Sequence, residues 1–141
     1  MYKVVKNIVA EERYHPDIVE DHAKLYSLIE IIEARLREET ANYQIVSAEL
    51  RELIRLAREH FGNEEFIMKS EEYPKLDYHV ENHCHLVKCL SDYVALCEKG
   101  LLKIDADAGK NIRDWFLFHT RTVDEEFHEW LLNKRRQTGG I

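Results

Sequence analysis

The residues of this sequence best suited to chemistry are His22, His60, Glu64, His79, His83, His119 and Asp124. Imidazole nitrogens and carboxylate oxygens are the usual donors to transition metals. His60 and Glu64 stand four apart, and His79 and His83 repeat that spacing. On an α-helix each pair projects from one face. His22 and His119 come from distant parts of the chain. Asp124 lies five after His119, the odd spacing in the set. A regular helix would point those two roughly 140° apart. If both serve one site, the spacing predicts a π-type turn between them, a feature often found at functional sites.

Helices must carry these side chains, and the apolar pattern supplies four. The first runs from about Ile18 to Glu39, with Ile18, His22, Leu25, Ile29, Ile32 and Leu36 on one side. Asp17 and Glu20 read as a capping box with Pro16 just outside. The second runs from about Tyr43 to Met68, with Leu50, Leu53, Ala57, His60, Glu64 and Ile67. After a polar break at 69–74, Pro74 opens a third helix that reaches Lys99. Its stripe is Leu76, His79, His83, Leu86, Leu90, Tyr93 and Cys97, and Gly100 suits the position after its end. The fourth runs from about Asp107 to Arg135, with Ile112, Trp115, His119, Val123, Phe127 and Trp130. Steps of three and four are the seam of left-handed helix packing. The expected fold is all-α: an antiparallel up-down-up-down four-helix bundle with an N-terminal arm. One domain spans 1–141, with the arm at 1–16, the bundle at 17–135 and a flexible tail at 136–141.

A seam should be apolar, yet this one holds His22, His60, Glu64, His79, His83 and His119. An unpartnered buried polar group costs a few kcal/mol, and a bare carboxylate costs more. A bound metal removes that cost by using imidazole lone pairs and neutralising carboxylates. The other histidines act as an internal control. His85 points roughly 160° from His83, and His128 lies roughly opposite His119 on a regular helix. His15 precedes the first helix. These three are expected outside the site.

Bulk composition narrows the function. The 141 residues are 45% apolar with 5 Gly and 2 Pro, which favours one globular core with long helices. A net charge of −7 disfavours nucleic acid and anionic membranes as partners. No apolar run is long enough to span a bilayer. The first sixteen residues lack the apolar segment of a secretory signal. Cys84, Cys89 and Cys97 share one helix and are expected as thiols in a reducing compartment. The expected location is the cytoplasm.

At this point the sequence resembles the hemerythrin family, above all its single-domain bacterial branch. The family pattern reads H, HFxxEExxM, YPxxxxHxxxH and WxxxHxxxxD. Here these are His22; His60-Phe61-Gly62-Asn63-Glu64-Glu65-Phe66-Ile67-Met68; Tyr73-Pro74 followed by His79 and His83; and Trp115, His119 and Asp124. The resemblance spans about residues 14–131. It implies two iron ions. His79, His83 and His119 would complete one, and His22 and His60 would hold the other with one position open. Glu64 and Asp124 would bridge both, with a solvent-derived oxo or hydroxo group. Phe61, Trp115, Phe116 and Thr120 would line an oxygen pocket. Thr120 stands where an isoleucine is common, and Phe116 where a leucine is common. The Thr120 hydroxyl would either bond back to the Phe116 carbonyl or hold a water. Val19 replaces an aspartate common near the first ligand.

The function implied is reversible binding of dioxygen, as a carrier, store or delivery protein and not as an enzyme. A histidine-rich site should favour binding dioxygen over cleaving it, unlike carboxylate-rich di-iron bundles. A reductase or an oxygen-consuming enzyme would be the natural protein partner; the oligomeric state is not written in the sequence. Two alternatives stand beside this. One is an oxygen or redox sensor acting through a separate partner. The other is a di-iron peroxidase, or an enzyme removing nitric oxide or peroxide.

Overall fold

The computed structural model describes residues 16–38, 42–101, 103 and 105–137. Helix α1 spans Pro16–Leu36, α2 Tyr43–Ser70, α3 Leu76–Glu98 and α4 Ala106–His119. A π turn, Thr120–Asp124, carries α4 into α5, Glu125–Gln137, so α4 and α5 form one rod. Helix α1 packs against α2 and α4, α2 against α3, and α3 against α4. The result is the four-helix bundle expected, with no strand among the described residues. None of these helices is long and apolar enough to cross a membrane. The expected arm, His15 within it, and residues 138–141 of the tail lie outside the described residues.

Local sequence explains the helix ends. Asn42 caps α2, its Oδ1 accepting from the backbone N–H of Gln44 at 2.9 Å and of Ile45 at 3.2 Å. Asp105 caps α4 by accepting from Ala108 N–H at 3.1 Å. Helix α1 already includes Pro16, so Asp17 sits in the first turn and not at the cap as its spacing to Glu20 suggests. Proline suits that first position, since its missing N–H has no partner there anyway. Helix α3 begins at Leu76, two residues past the expected Pro74. Its far end is a Schellman turn: Gly100, at φ 75°, donates to Cys97 O, and Leu101 donates to Leu96 O. Helix α2 ends the same way with Glu72 in the left-handed position at φ 60°. Tyr73 N–H then reaches Met68 O at 2.9 Å, which turns the tyrosine inward.

The core is two apolar clusters with a polar layer between them. The larger includes Leu25, Ile29, Leu50, Leu53, Phe61, Leu90, Ile112 and Phe116. The smaller comprises Ile18, Met68, Tyr73, Phe127 and Leu131. The three cysteines of α3 are exposed, half-buried and buried in turn, and form no disulfide.

The π turn falls where the spacing of His119 and Asp124 requires it. A turn closed by i→i+5 bonds holds one extra residue, so every later residue falls back by roughly 100°. Asp124 thereby moves onto the face of His119. The same shift corrects two expectations for the fourth rod. Leu131 takes the seam and Trp130 its flank, half-buried. His128, expected outside, is fully buried. Burial holds its imidazole neutral and pushes its pKa down to about 4, against a partial pull from Glu64 and Asp124.

In the unfolded chain His128 titrates near 6.5. Between pH 6.5 and 4 the unfolded state therefore binds more protons, and stability falls as pH drops through that window. The full contribution is about 3 kcal/mol. His128→Leu should flatten this part of the acid limb relative to wild type. Urea midpoints of both proteins across that range check it; parallel limbs would contradict it.

Candidate metal centre

Each rod delivers part of one buried cluster. Helix α1 supplies His22, α2 His60 and Glu64, α3 His79 and His83, α4 His119, and the π turn Asp124. All seven are buried, and Glu64, His79 and Asp124 wholly so. The sequence-expected residues are thus brought together without exception. His85, as expected, stays outside, exposed and facing Cys89 Sγ at 3.6 Å.

The two carboxylates divide their oxygens. Glu64 Oε1 faces His79 Nε2 at 2.7 Å and His83 Nε2 at 3.1 Å. Its other oxygen, Oε2, faces His60 Nε2 at 3.5 Å. Asp124 Oδ1 faces His79 Nε2 at 3.0 Å and His119 Nε2 at 2.9 Å. Its Oδ2 faces His22 Nε2 at 3.3 Å. Donor atoms within 4.8 Å of one another form two overlapping groups, one of Glu64, His79, His83, His119 and Asp124, the other of His22, His60, Glu64 and Asp124. Both carboxylates belong to both groups.

Two further carboxylates aim the imidazoles. Glu65 Oε2 lies 2.7 Å from His83 Nδ1, and Asp21 Oδ2 lies 3.3 Å from His60 Nδ1. Each takes the outer ring N–H and leaves Nε2 pointing inward, the arrangement that fixes tautomer and orientation in metal-binding histidines. Asn63 Nδ2 donates to Asp21 at 3.3 Å and steadies it. The His60 bond outweighs desolvation and holds the Asp21 carboxyl below its usual range. Sequence reasoning did not single out Asp21 or Glu65; the only signal for Glu65 was its place in the HFxxEExxM motif.

The charge pattern follows. Burial and the Asp124 charge both push Glu64 up, yet bonds from His79 and His83 and the His60 charge carry it down to about 2. Asp124 likewise stays well below the carboxylate range, its own desolvation outweighed by His119, His22 and His79. His79 is desolvated too, but Asp124 and Glu64 raise it to about 9. Two carboxylates this deep require positive charge beside them, from imidazolium protons or from metal ions.

The donor set fits metal ions. His60 Nε2 and Glu64 Oε2 are buried and have no hydrogen-bond partner, although they face each other. Five imidazoles and two carboxylates suit iron, zinc or copper better than magnesium or calcium.

An aromatic lid lies over the cluster. Phe61 stacks on His83 with ring centroids 4.0 Å apart and nearly parallel planes. The same ring meets His60 at 5.4 Å, His119 at 5.3 Å and Phe116 at 6.5 Å. Thr120 is buried, and its hydroxyl bonds to Tyr26 Oη at 2.9 Å, not to the Phe116 carbonyl. Of the four expected pocket residues, Trp115 stands apart. It is half-buried, packs edge-on against Tyr93, and lines an outer cleft of about 330 Å³ with Leu86, Cys89, Phe118 and His119.

The fold matches solved structures while the sequence stands apart. No family model and no curated protein matches this chain. A wild-type hemerythrin crystal structure superposes with a TM-score of 0.72 at 21% identity, over 79% of this chain and 85% of that one. A leucine-to-phenylalanine mutant structure gives 0.72 at 22% identity, over 79% and 84%. A leucine-to-tyrosine variant of a hemerythrin also gives 0.72, at 21% identity, over 79% and 84%. The chain shares the four-helix bundle fold of these hemerythrin structures, with a buried histidine–carboxylate cluster at its centre.

Phe61 packs against three of the cluster's imidazoles and Phe116, so removing its ring opens a cavity beside the cluster. Phe61→Ala should destabilise the metal-free protein by about 3–5 kcal/mol, and Phe61→Leu by distinctly less. Chemical denaturation of the apo-proteins measures both; a loss below about 1 kcal/mol for alanine would show that the lid collapses freely.

Proposed function

We propose that this chain holds two iron ions and binds dioxygen reversibly, as a carrier or store and not as an enzyme. One observation carries the reading: Glu64 and Asp124 each turn one oxygen to the three-histidine group and the other to the two-histidine group. A single ion needs no such division, whereas two ions side by side do. On this reading His79, His83 and His119 complete one ion, and His22 and His60 hold the other. Glu64 and Asp124 serve both.

The histidine group of two has one donor fewer, so an ion held there would have room for one further ligand. When bound, a reduced iron pair supplies the electrons for reversible capture of dioxygen. The chain's own residues do the rest. Glu65 and Asp21 hold ring protons on the outer nitrogens and present Nε2 inward. Phe61 and Phe116 pack against each other over the cluster and would exclude water, and with it a source of protons, from the site. Glu64 and Asp124 would offset two of the positive charges that a ferrous pair brings into the buried layer, and five neutral imidazoles would add none.

Purified protein should contain about two irons per chain, the stoichiometry that a shared-carboxylate site requires. After anaerobic reduction, a visible absorption band should appear with air and vanish under vacuum. Turnover of added reductant by hydrogen peroxide or nitric oxide, without a reversible band, would favour the detoxifying enzyme. A partner captured only by the oxygenated or the oxidised form would favour the sensor.

The ligand assignment has its own check. Glu64→Ala should lower iron content well below that of wild type, while His85→Ala should leave it unchanged. Glu65→Gln keeps every donor atom but weakens the hold on His83, so iron affinity should fall about 10- to 100-fold. Full loading of Glu64→Ala in a metal analysis would remove the bridging role.

A further inference from the structure

The lid is apolar except at one point. Tyr26 and Thr120 are both buried, with their hydroxyl oxygens 2.9 Å apart. Tyr26 stands one turn after His22 on α1, its ring edge-on to the His22 ring at 6.3 Å. Thr120 follows His119 and opens the π turn that carries Asp124. Asp124 Oδ2 in turn faces His22 Nε2 at 3.3 Å. The hydroxyl pair therefore joins α1, where Tyr26 meets His22 of the four-donor group, to the π turn, where Thr120 follows His119 of the five-donor group.

Apolar side chains would fill this space at less cost, because each buried hydroxyl gives up its water. Either hydroxyl can donate in this bond, and the greater acidity of the phenol favours Tyr26 as donor and Thr120 Oγ1 as acceptor. The threonine's own proton then points away from Tyr26. A helical threonine ordinarily spends that proton on the carbonyl four residues back. Thr122 does so, with Oγ1 at 2.7 Å from Phe118 O. Thr120 does not; its hydroxyl bond runs to Tyr26. A donor proton thus remains at the pair, next to the cluster and polarised by the phenol behind it.

We propose that the Tyr26–Thr120 pair is a hydrogen-bond donor site for a small anion held at the four-donor half of the cluster, an inference that rests on the di-iron reading above. The packed lid of Phe61 and Phe116 restricts the anion to a few heavy atoms, such as azide, nitrite or hydroperoxide. A bond from a neutral hydroxyl to a charged acceptor is about twice as strong as one between neutral groups.

Azide is the probe. The oxidised, iron-loaded full chain is titrated with azide by visible absorption, and the azide stretch is read by infrared in H2O and D2O. Iron content is measured on every variant. In wild type the stretch should shift on deuteration. Thr120→Val should weaken azide about tenfold and remove the deuteration shift. Thr120→Ser keeps the hydroxyl and should keep both. Tyr26→Phe should weaken azide by a smaller factor, and Thr122→Val should change nothing. Should Thr120→Val fail to fold, Thr120→Ala set against Thr120→Ser makes the same comparison. Wild type that takes no iron, or no azide, overturns the di-iron reading itself. Normal iron with unchanged azide affinity and an unchanged deuteration shift in the hydroxyl-less variants overturns the donor site alone.

Discussion

Two carboxylates with no access to water sit in the middle of an apolar bundle, and the rest of the structure answers to that. Glu64 and Asp124 are wholly buried. The cost of an uncompensated charge there would exceed the whole stability of an ordinary domain. Five imidazoles converge on their oxygens, at 2.7 to 3.5 Å. Breaking any one contact leaves its partner buried and exposed to the field of the others, so the cluster behaves as a unit. The apolar clusters on either side then do more than stabilise. By excluding water they make every electrostatic contact in the layer stronger.

Position along and around the helices is what such a layer demands, and the chain meets it in two ways. Helices α1 to α3 present their donors by regular spacing, one or two per helix. The fourth rod cannot, because five residues separate His119 from Asp124. The π turn absorbs the mismatch within one turn of helix. Its cost is a weaker local hydrogen-bond pattern, offset by the contacts that Asp124 makes with three imidazoles.

Much of this was legible before any coordinates. The helices followed from the apolar period, and the cluster from polar residues placed on the seam at i,i+4. The π turn followed from one misfit spacing. That same turn undid the expectation for His128, because angles had been counted through a regular helix. The inconsistency was readable: a residue added between His119 and Asp124 must also displace His128 and Trp130. What periodicity could not reveal were contacts between helices. Asp21 precedes His22 yet serves His60; Glu65 follows Glu64 yet serves His83; Tyr26 bonds a threonine 94 positions away. Each depends on which neighbour faces it across the bundle, and helix phase says nothing of that. Pro16 lies inside α1 and not just outside it, and α3 begins two residues past Pro74, because a proline fits the first turn as well as the approach to it.

Helix α2 carries the heaviest share of the site and is also the best anchored. It supplies His60, the shared Glu64, the Glu65 that aims His83 on α3, and the Phe61 ring that covers the cluster. At 28 residues it is the longest of the described helices. Both ends are closed by hydrogen bonds, through Asn42 at the start and the left-handed Glu72 at the finish. A slip of one residue in α2 would rotate all four groups by roughly 100° and lose ligand, bridge, orienting carboxylate and lid together. The fourth rod carries Phe116, His119, Thr120 and Asp124, and the irregular turn between His119 and Asp124 lets both face the cluster. Regular, doubly capped helix thus holds the register of α2, while one irregular turn sets the register of the fourth rod.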